Sequence, residues 1–164
     1  MSAMSQSQAR QPYATRALAC LRMLMGLIFL AVWGDNLAKG LYSGSGWADF
    51  VTHYADTTKI GPYGTFLDKV MIPHASLFGP GQGVVELLVG LCLVLGLVTP
   101  VAGLLGGLFQ LNLLVATSGT RDWPGTYIAL AAICLVVAAA QAGRTWGLDA
   151  RLAGRKPKPR IPYY

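Results

Sequence analysis

Charged residues are scarce in this sequence, making up 12% of its 164 residues, whereas the hydrophobic types make up 54%. Soluble domains average about 25% charged residues. Such a shortage excludes an ordinary soluble domain and favours a chain that exposes apolar side chains to lipid. The length fits a single domain.

The sequence also lacks the usual signatures of bound cofactors. It contains three cysteines, Cys20, Cys92 and Cys134, and an odd number without paired spacing argues against disulfides or a zinc site. His53 and His74 do not have metal-ligand spacing, and no CxxCH, GxGxxG or P-loop occurs. We therefore predict no metal and no covalently bound cofactor, so any redox chemistry would use a diffusible quinone or a partner chain.

Long stretches with few charges or none indicate membrane spans. Crossing about 30 Å of hydrocarbon takes about 20 mainly apolar residues in a helix. We predict an all-α integral membrane protein, a bundle of four transmembrane helices at about residues 17–41, 82–98, 101–117 and 124–143. Glycines at positions 103, 106 and 107 predict close helix contact in the third span.

The segment of residues 43–79, between the first two spans, has helical periodicity of its own. Two apolar stripes recur there: Trp47, Phe50, Val51 and Tyr54, and then Phe66, Leu67, Val70 and Met71, which Pro73 should end. Short amphipathic helices lying in the membrane interface fit this pattern. We predict an extracytoplasmic lid made of two short helices.

Basic residues set the expected orientation. Six of the thirteen lie from Arg144 to the end of the chain, and Arg10 and Arg16 precede the first span. Because cytoplasmic segments are rich in Lys and Arg, we predict that both termini are cytoplasmic in a bacterial or archaeal cytoplasmic membrane. The same rule explains the basic balance without nucleic-acid binding.

These boundaries divide the chain into three parts. Residues 1–14 should form a mobile tail, residues 15–152 the membrane domain and residues 153–164 a basic cytoplasmic tail. A cleaved signal peptide competes with this interpretation at the N-terminus. The first apolar run is longer than the apolar region of a signal peptide, which favours an uncleaved anchor.

Polar residues are expected near the outer ends of all four spans, beneath the lid. Glu86 is the candidate catalytic residue, because a lone carboxylate within a span needs a cation, a proton or a ligand. The candidate substrate- or quinone-binding residues are Asp35, Lys39, Asn112, Arg121, Trp123 and Tyr127. Alternatively, these groups satisfy one another, as an ion pair, an interhelical hydrogen bond and interfacial aromatics.

Arg22 lies apart from this group, near the cytoplasmic end of the first span. At about 1.5 Å per residue it is roughly 15 Å in depth from Glu86. A structural role is favoured, in which Arg22 caps carbonyl groups, binds lipid phosphate or contacts Asp149. Apart from Arg22, the inner half of the bundle is expected to be nearly featureless.

Three motifs resemble the DoxX and DoxD membrane proteins over roughly residues 16–152. They are Arg22-Met-Leu-Met-Gly26, Glu86-Leu-Leu-Val-Gly90 and Gly143-Arg144-Thr-Trp-Gly-Leu148-Asp149. The DoxD resemblance implies the membrane subunit of a thiosulfate:quinone oxidoreductase, which joins two thiosulfates into tetrathionate with a second subunit. The motif positions implied are Arg22, Lys39, Glu86, Arg144 and Asp149, with Arg22, Arg144 and Asp149 regarded as structural or lipid-facing.

Two hypotheses follow for the function. In the first, the chain is a quinone-linked oxidoreductase subunit in which Glu86 takes up a proton, Lys39 and Arg121 attract an anion, and Asn112 and Tyr127 bind the ligand. In the second, it is a non-catalytic accessory subunit packed against a larger respiratory or photosynthetic complex. A small transporter is disfavoured, because no inverted repeat or pair of broken helices is visible.

Overall fold

A computed structural model describes the backbone of residues 3–154 and the side chains of residues 13–154. This part is all-helical, without β-strands between residues 3 and 154. Its α-helices are α1 Ala3–Ala38, α2 Gly44–Thr57, α3 Gly61–Phe66, α4 Ala75–Leu95, α5 Thr99–Ala116, α6 Pro124–Ala139 and α7 Leu148–Gly154. A π-helical segment, Leu67–Met71, and a 3-10 turn, Ile72–His74, join α3 to α4.

Three helical stretches are long and apolar enough to cross a membrane: Tyr13–Ala38, Gly61–Leu95 and Thr99–Gly119. They indicate a membrane protein. The fourth predicted span corresponds to α6, which is apolar but has only 16 residues. The backbone of residues 3–14 belongs to α1. Residues 155–164 of the predicted basic tail, and the side chains of residues 3–12 in the predicted mobile tail, lie outside the described residues.

Close contacts at glycine hold the long helices together in two pairs, α1 with α4 and α5 with α6. A Cβ atom at Gly26 of α1 would lie 2.7 Å from the backbone nitrogen of Val94. Likewise, a Cβ at Gly103 would lie 2.7 Å from the carbonyl oxygen of Cys134, which confirms the predicted close contact of α5. A core that includes Met25, Phe29, Val89, Leu93 and Cys134 fills the space between the pairs.

The prediction that Pro73 ends a short helix is wrong, and so is a start of the next helix near Gln82. Helical structure runs without a break from Gly61 to Leu95, through Pro73 and Pro80. An interior proline clashes with the carbonyl of the residue four positions earlier and removes a hydrogen bond. Here Pro73 is the second residue of a 3-10 turn that directly follows the π segment, so the change of helical pitch falls where the regular hydrogen bonding would fail.

Helix α2 packs against the first half of α4. Trp47 and Val51 are buried, as the first apolar stripe predicts, and the Trp47 ring stacks on Phe78 with 5.8 Å between centroids. The second stripe divides: Leu67 is buried, whereas Phe66 and Val70 are more than 40% exposed. The end of the helices near Glu86, where α2 packs on α4, is called the Glu86 end, and the opposite one is called the Arg22 end.

Candidate functional site

Glu86 lies on α4 and faces the turn that follows α1. Its side chain is only 2% exposed. One turn earlier, Gly83 allows the Tyr42 ring to approach, because a Cβ atom there would lie 2.9 Å from the ring's Cγ. The absence of a side chain at position 83 thus opens the space in which Tyr42 reaches the carboxylate.

Neutral side chains satisfy the Glu86 carboxylate. Gln82 Nε2 donates to Oε1 at 2.8 Å, and Asn36 Nδ2 donates to Oε2 at 3.4 Å. The Tyr42 hydroxyl also donates to Oε2. Behind them, Trp47 Nε1 donates to Gln82 Oε1 at 2.9 Å, which extends the hydrogen bonds to α2. These five residues are called the Glu86 cluster.

Burial raises the pKa of Tyr42 above its ordinary value, and its hydrogen bond to Glu86 adds to the effect. The tyrosine therefore keeps its proton and acts as a donor. Hydrogen bonds to a charged group contribute about 1.5–3 kcal/mol each, whereas burying a carboxylate costs several kcal/mol. Donors of this kind make an internal carboxyl group tolerable in its charged form without a positive partner.

Lys39 does not neutralise Glu86. Between residues 13 and 154 there is one ion pair, Lys39 with Asp35, and its two side chains are 66% and 59% exposed. Asp35 and Asn36 are adjacent in sequence, but successive residues of a helix point about 100° apart. Consequently Asn36 reaches the carboxylate, and Asp35 faces outward.

The remaining predicted site residues form separate groups near the link between α5 and α6. Asn112 accepts a hydrogen bond from Tyr63 at 3.0 Å, and Tyr127 donates to Asp122 at 3.4 Å. Arg121 is exposed, and Trp123 is 74% exposed. Hydrogen bonds among the described residues do not connect any of these groups to the Glu86 cluster.

A second buried polar group lies at the Arg22 end. Arg22 is fully buried and donates from Nη1 to the Leu93 carbonyl at 3.0 Å, a contact that matches one of the three roles expected of it. Asp149 interacts electrostatically with Arg22, and its carboxylate accepts the backbone N–H groups of Val98 at 2.7 Å and Thr99 at 2.9 Å. The inner half of the bundle is therefore not featureless, contrary to the sequence-based expectation.

Glycines make this second group possible. Gly96, with φ of +65°, turns the chain from α4 towards α5, and a Cβ there would lie 2.0 Å from Arg22 Nη1. A Cβ at Gly143 would lie 2.3 Å from the Asp149 carboxylate. Arg144, next to Gly143, points outward and is exposed.

Sequence reasoning found Glu86 but missed Tyr42 and Gln82 as its partners. The contact of Gln82 could have been predicted, because Gln82 and Glu86 are four residues apart and such residues share one face of a helix. Tyr42 lies in a turn, where helical periodicity gives no direction, so its contact with Glu86 could not be predicted.

Comparison of the chain with protein-family models, with curated proteins and with solved structures gives no match. The resemblance to DoxX and DoxD proteins accordingly rests on the three sequence motifs alone.

Proposed function

We propose that this chain is the membrane subunit of a quinone-linked oxidoreductase of the DoxX/DoxD type. The observation that supports this most directly is the buried carboxyl group of Glu86, which is held by neutral donors. An acid in this setting can give up a proton and take one up, with nearby groups that satisfy either form. Quinone is the diffusible co-substrate, and a second membrane or extracytoplasmic subunit is the partner.

The proposed reaction balances without a cofactor in this chain. Two thiosulfate ions join through a new sulfur–sulfur bond and release two electrons as tetrathionate forms. Quinone accepts those two electrons together with two protons and becomes quinol. Glu86 passes on one of these protons and is then reprotonated. Arg121, and Lys39 once released from its exposed ion pair with Asp35, attract the thiosulfate.

Ligand access requires movement of α2. Trp47 and Tyr42 close over Gln82 and Glu86, and Thr58 holds the end of α2 by donating to the Val115 carbonyl at 3.1 Å. Displacing α2 would free the Tyr42 hydroxyl and the carboxyl group for a quinone oxygen. In this proposal α2 acts as the lid, whereas the rest of the predicted lid segment, from Gly61 onward, is continuous with α4.

Replacing Glu86 with Gln tests the proposal. The amide keeps the size of the side chain but cannot transfer the proton, and a positioned acid or base contributes about 10²–10⁴-fold to rate. We expect thiosulfate-dependent quinone reduction in purified membranes to fall at least about 100-fold, with the protein level unchanged. Asp49→Asn, at an exposed carboxylate of α2, is the matched control and should keep the wild-type rate. Wild-type rates in Glu86→Gln would refute the proposal.

A non-catalytic accessory subunit is the second candidate. It is favoured by the closure of the Glu86 cluster, whose carboxylate oxygens already have protein donors. In this case the cluster fixes α2 to α4 and does not react. Stable co-purification with a large redox complex after gentle detergent extraction, without thiosulfate-dependent quinone reduction by the chain alone, would establish this alternative.

We also propose four membrane spans, with both termini in the cytoplasm. The fourth span would be α6, whose 16 residues are followed by a 3-10 turn, Ala142–Arg144. The excess of Lys and Arg near the first and last helices supports this orientation in a bacterial or archaeal cytoplasmic membrane.

A further inference from the structure

A cavity of about 510 Å³ opens at the Arg22 end, beside the start of α5. Gln141, Arg144 and Asp149 provide its polar lining, and Val98 and Val101 belong to its apolar lining. The cavity therefore has a polar side formed by the chain after α6 and an apolar side formed at α5.

An apolar groove between α4 and α5 lies next to this cavity. It has a volume of about 120 Å³, and its lining includes Val85, Leu88 and Leu105. Val98 and Val101 line both spaces, so the polar cavity and the groove are neighbours that meet at these two residues. Together they match a molecule with a polar head at the end of the helices and an apolar chain along them.

The unpaired charge that lines the cavity favours a ligand with an anionic head group. Asp149 lines the cavity, but its two oxygens accept the backbone N–H groups of Val98 and Thr99, and Arg22 lies close enough to interact with its charge. Arg144 is exposed and has no ion pair with any residue in the described part of the chain. The available charge is thus positive, and basic pockets between membrane helices bind anionic head groups.

We propose that this composite site binds one anionic phospholipid. Arg144 and Gln141 contact its phosphate, and one acyl chain lies in the groove between α4 and α5. The site is separate from the Glu86 cluster, and the proposal is independent of the redox function.

Native mass spectrometry of the full chain in detergent tests the head group. Phosphatidylglycerol and phosphatidylcholine with identical acyl chains are the probes, and we expect one phosphatidylglycerol to be retained in preference. Arg144→Gln should weaken its binding about fivefold, the effect of one basic residue near a membrane surface. The matched control is Arg16→Gln, which removes an exposed charge from α1 at the same end and should leave binding unchanged. Equal losses in both variants would overturn the proposal, because they indicate only diffuse attraction.

A second pair of variants tests the groove. Leu105→Trp fills it and should also weaken phosphatidylglycerol binding, whereas Leu104→Trp changes an equally exposed neighbour outside the groove and should not. Equal retention of both lipids would overturn the assignment of an anionic head. Displacement of the retained lipid by decylubiquinone, a neutral head with an apolar tail, would also overturn it and identify a quinone as the occupant.

Discussion

Asp149 connects its own segment to two distant parts of the chain, the turn between α4 and α5 and Arg22 of α1. Its carboxylate accepts N–H groups at the start of α5, and its own backbone nitrogen donates to the Gly96 carbonyl at 2.8 Å. It also interacts electrostatically with the buried Arg22. Arg22 itself has two nitrogen atoms, Nε and Nη2, without a hydrogen-bond partner in the described residues. The hydrogen bond to the Leu93 carbonyl and the negative charge of Asp149 therefore offset part of the cost of burying that guanidinium.

Changing Asp149 to Asn should destabilise the protein. The amide nitrogen would face an N–H donor, and the negative charge near Arg22 would be lost. Hydrogen bonds to charged groups contribute about 1.5–3 kcal/mol, and each kcal/mol shifts the melting temperature of a chain this size by about 2–4 °C. We expect thermal unfolding in detergent to occur several degrees lower. Asp49→Asn, at an exposed carboxylate, should unfold at the wild-type temperature, and equal unfolding temperatures for both variants would contradict this role of Asp149.

At the level of single residues, sequence predicted the groups that are expensive to bury, but few of their partners. Glu86 and Arg22 stand out because charges inside apolar helices are costly. Their partners include backbone atoms, such as the Leu93 carbonyl, and a tyrosine in a turn. Such partners are fixed by how two helices approach each other, and residue type alone does not reveal that approach.

Among the helices, the pair of α1 and α4 shows how that approach is set. Gly26 and Gly90 face each other: a Cβ at Gly26 would lie 2.8 Å from the Gly90 carbonyl oxygen. Small residues allow membrane helices to gain van der Waals contact where water supplies no driving force. This contact fixes α4 against α1 and so places Glu86 of α4 close to Asn36 of α1.

Gly26→Ala should force α1 and α4 apart. The new methyl group would meet the backbone of Val94, which cannot rotate away, and overpacking of this kind costs about 1–3 kcal/mol. We expect a lower melting temperature in detergent. Gly34→Ala is the matched control on the same helix, because a Cβ there meets nothing within 4 Å. The control should be neutral or stabilising by up to about 1 kcal/mol, because alanine favours helix. Similar stability of the two variants would contradict a tight contact at Gly26.

Sequence periodicity located the apolar helices but not the boundaries near prolines. The stripe of α2 was predicted because its apolar residues, Trp47 and Val51, lie on one helical face, and that face is buried. The continuity from Gly61 to Leu95 was not, because proline normally ends a helix and a π segment that accommodates it has no sequence signal.

For the whole molecule, the number of spans depends on α6. At about 1.5 Å per residue, its 16 residues extend about 24 Å, less than the roughly 30 Å of hydrocarbon. If α6 crosses, with the following turn completing the span, both termini lie on one side. If it does not, three spans place them on opposite sides. Whether the number of spans is even or odd therefore decides whether the two termini lie on the same side of the membrane.

Reporter fusions to the full chain measure this parity. Green fluorescent protein fluoresces only in the cytoplasm, and alkaline phosphatase is active only outside it. We expect fluorescence from fusions at both the N-terminus and the C-terminus, and phosphatase activity from an insertion at Lys59, which is exposed between α2 and α3. A fluorescent N-terminal fusion together with a dark C-terminal fusion would instead establish three spans. In that arrangement the basic residues after Arg144 would lie outside, against the bias that places Lys and Arg in the cytoplasm.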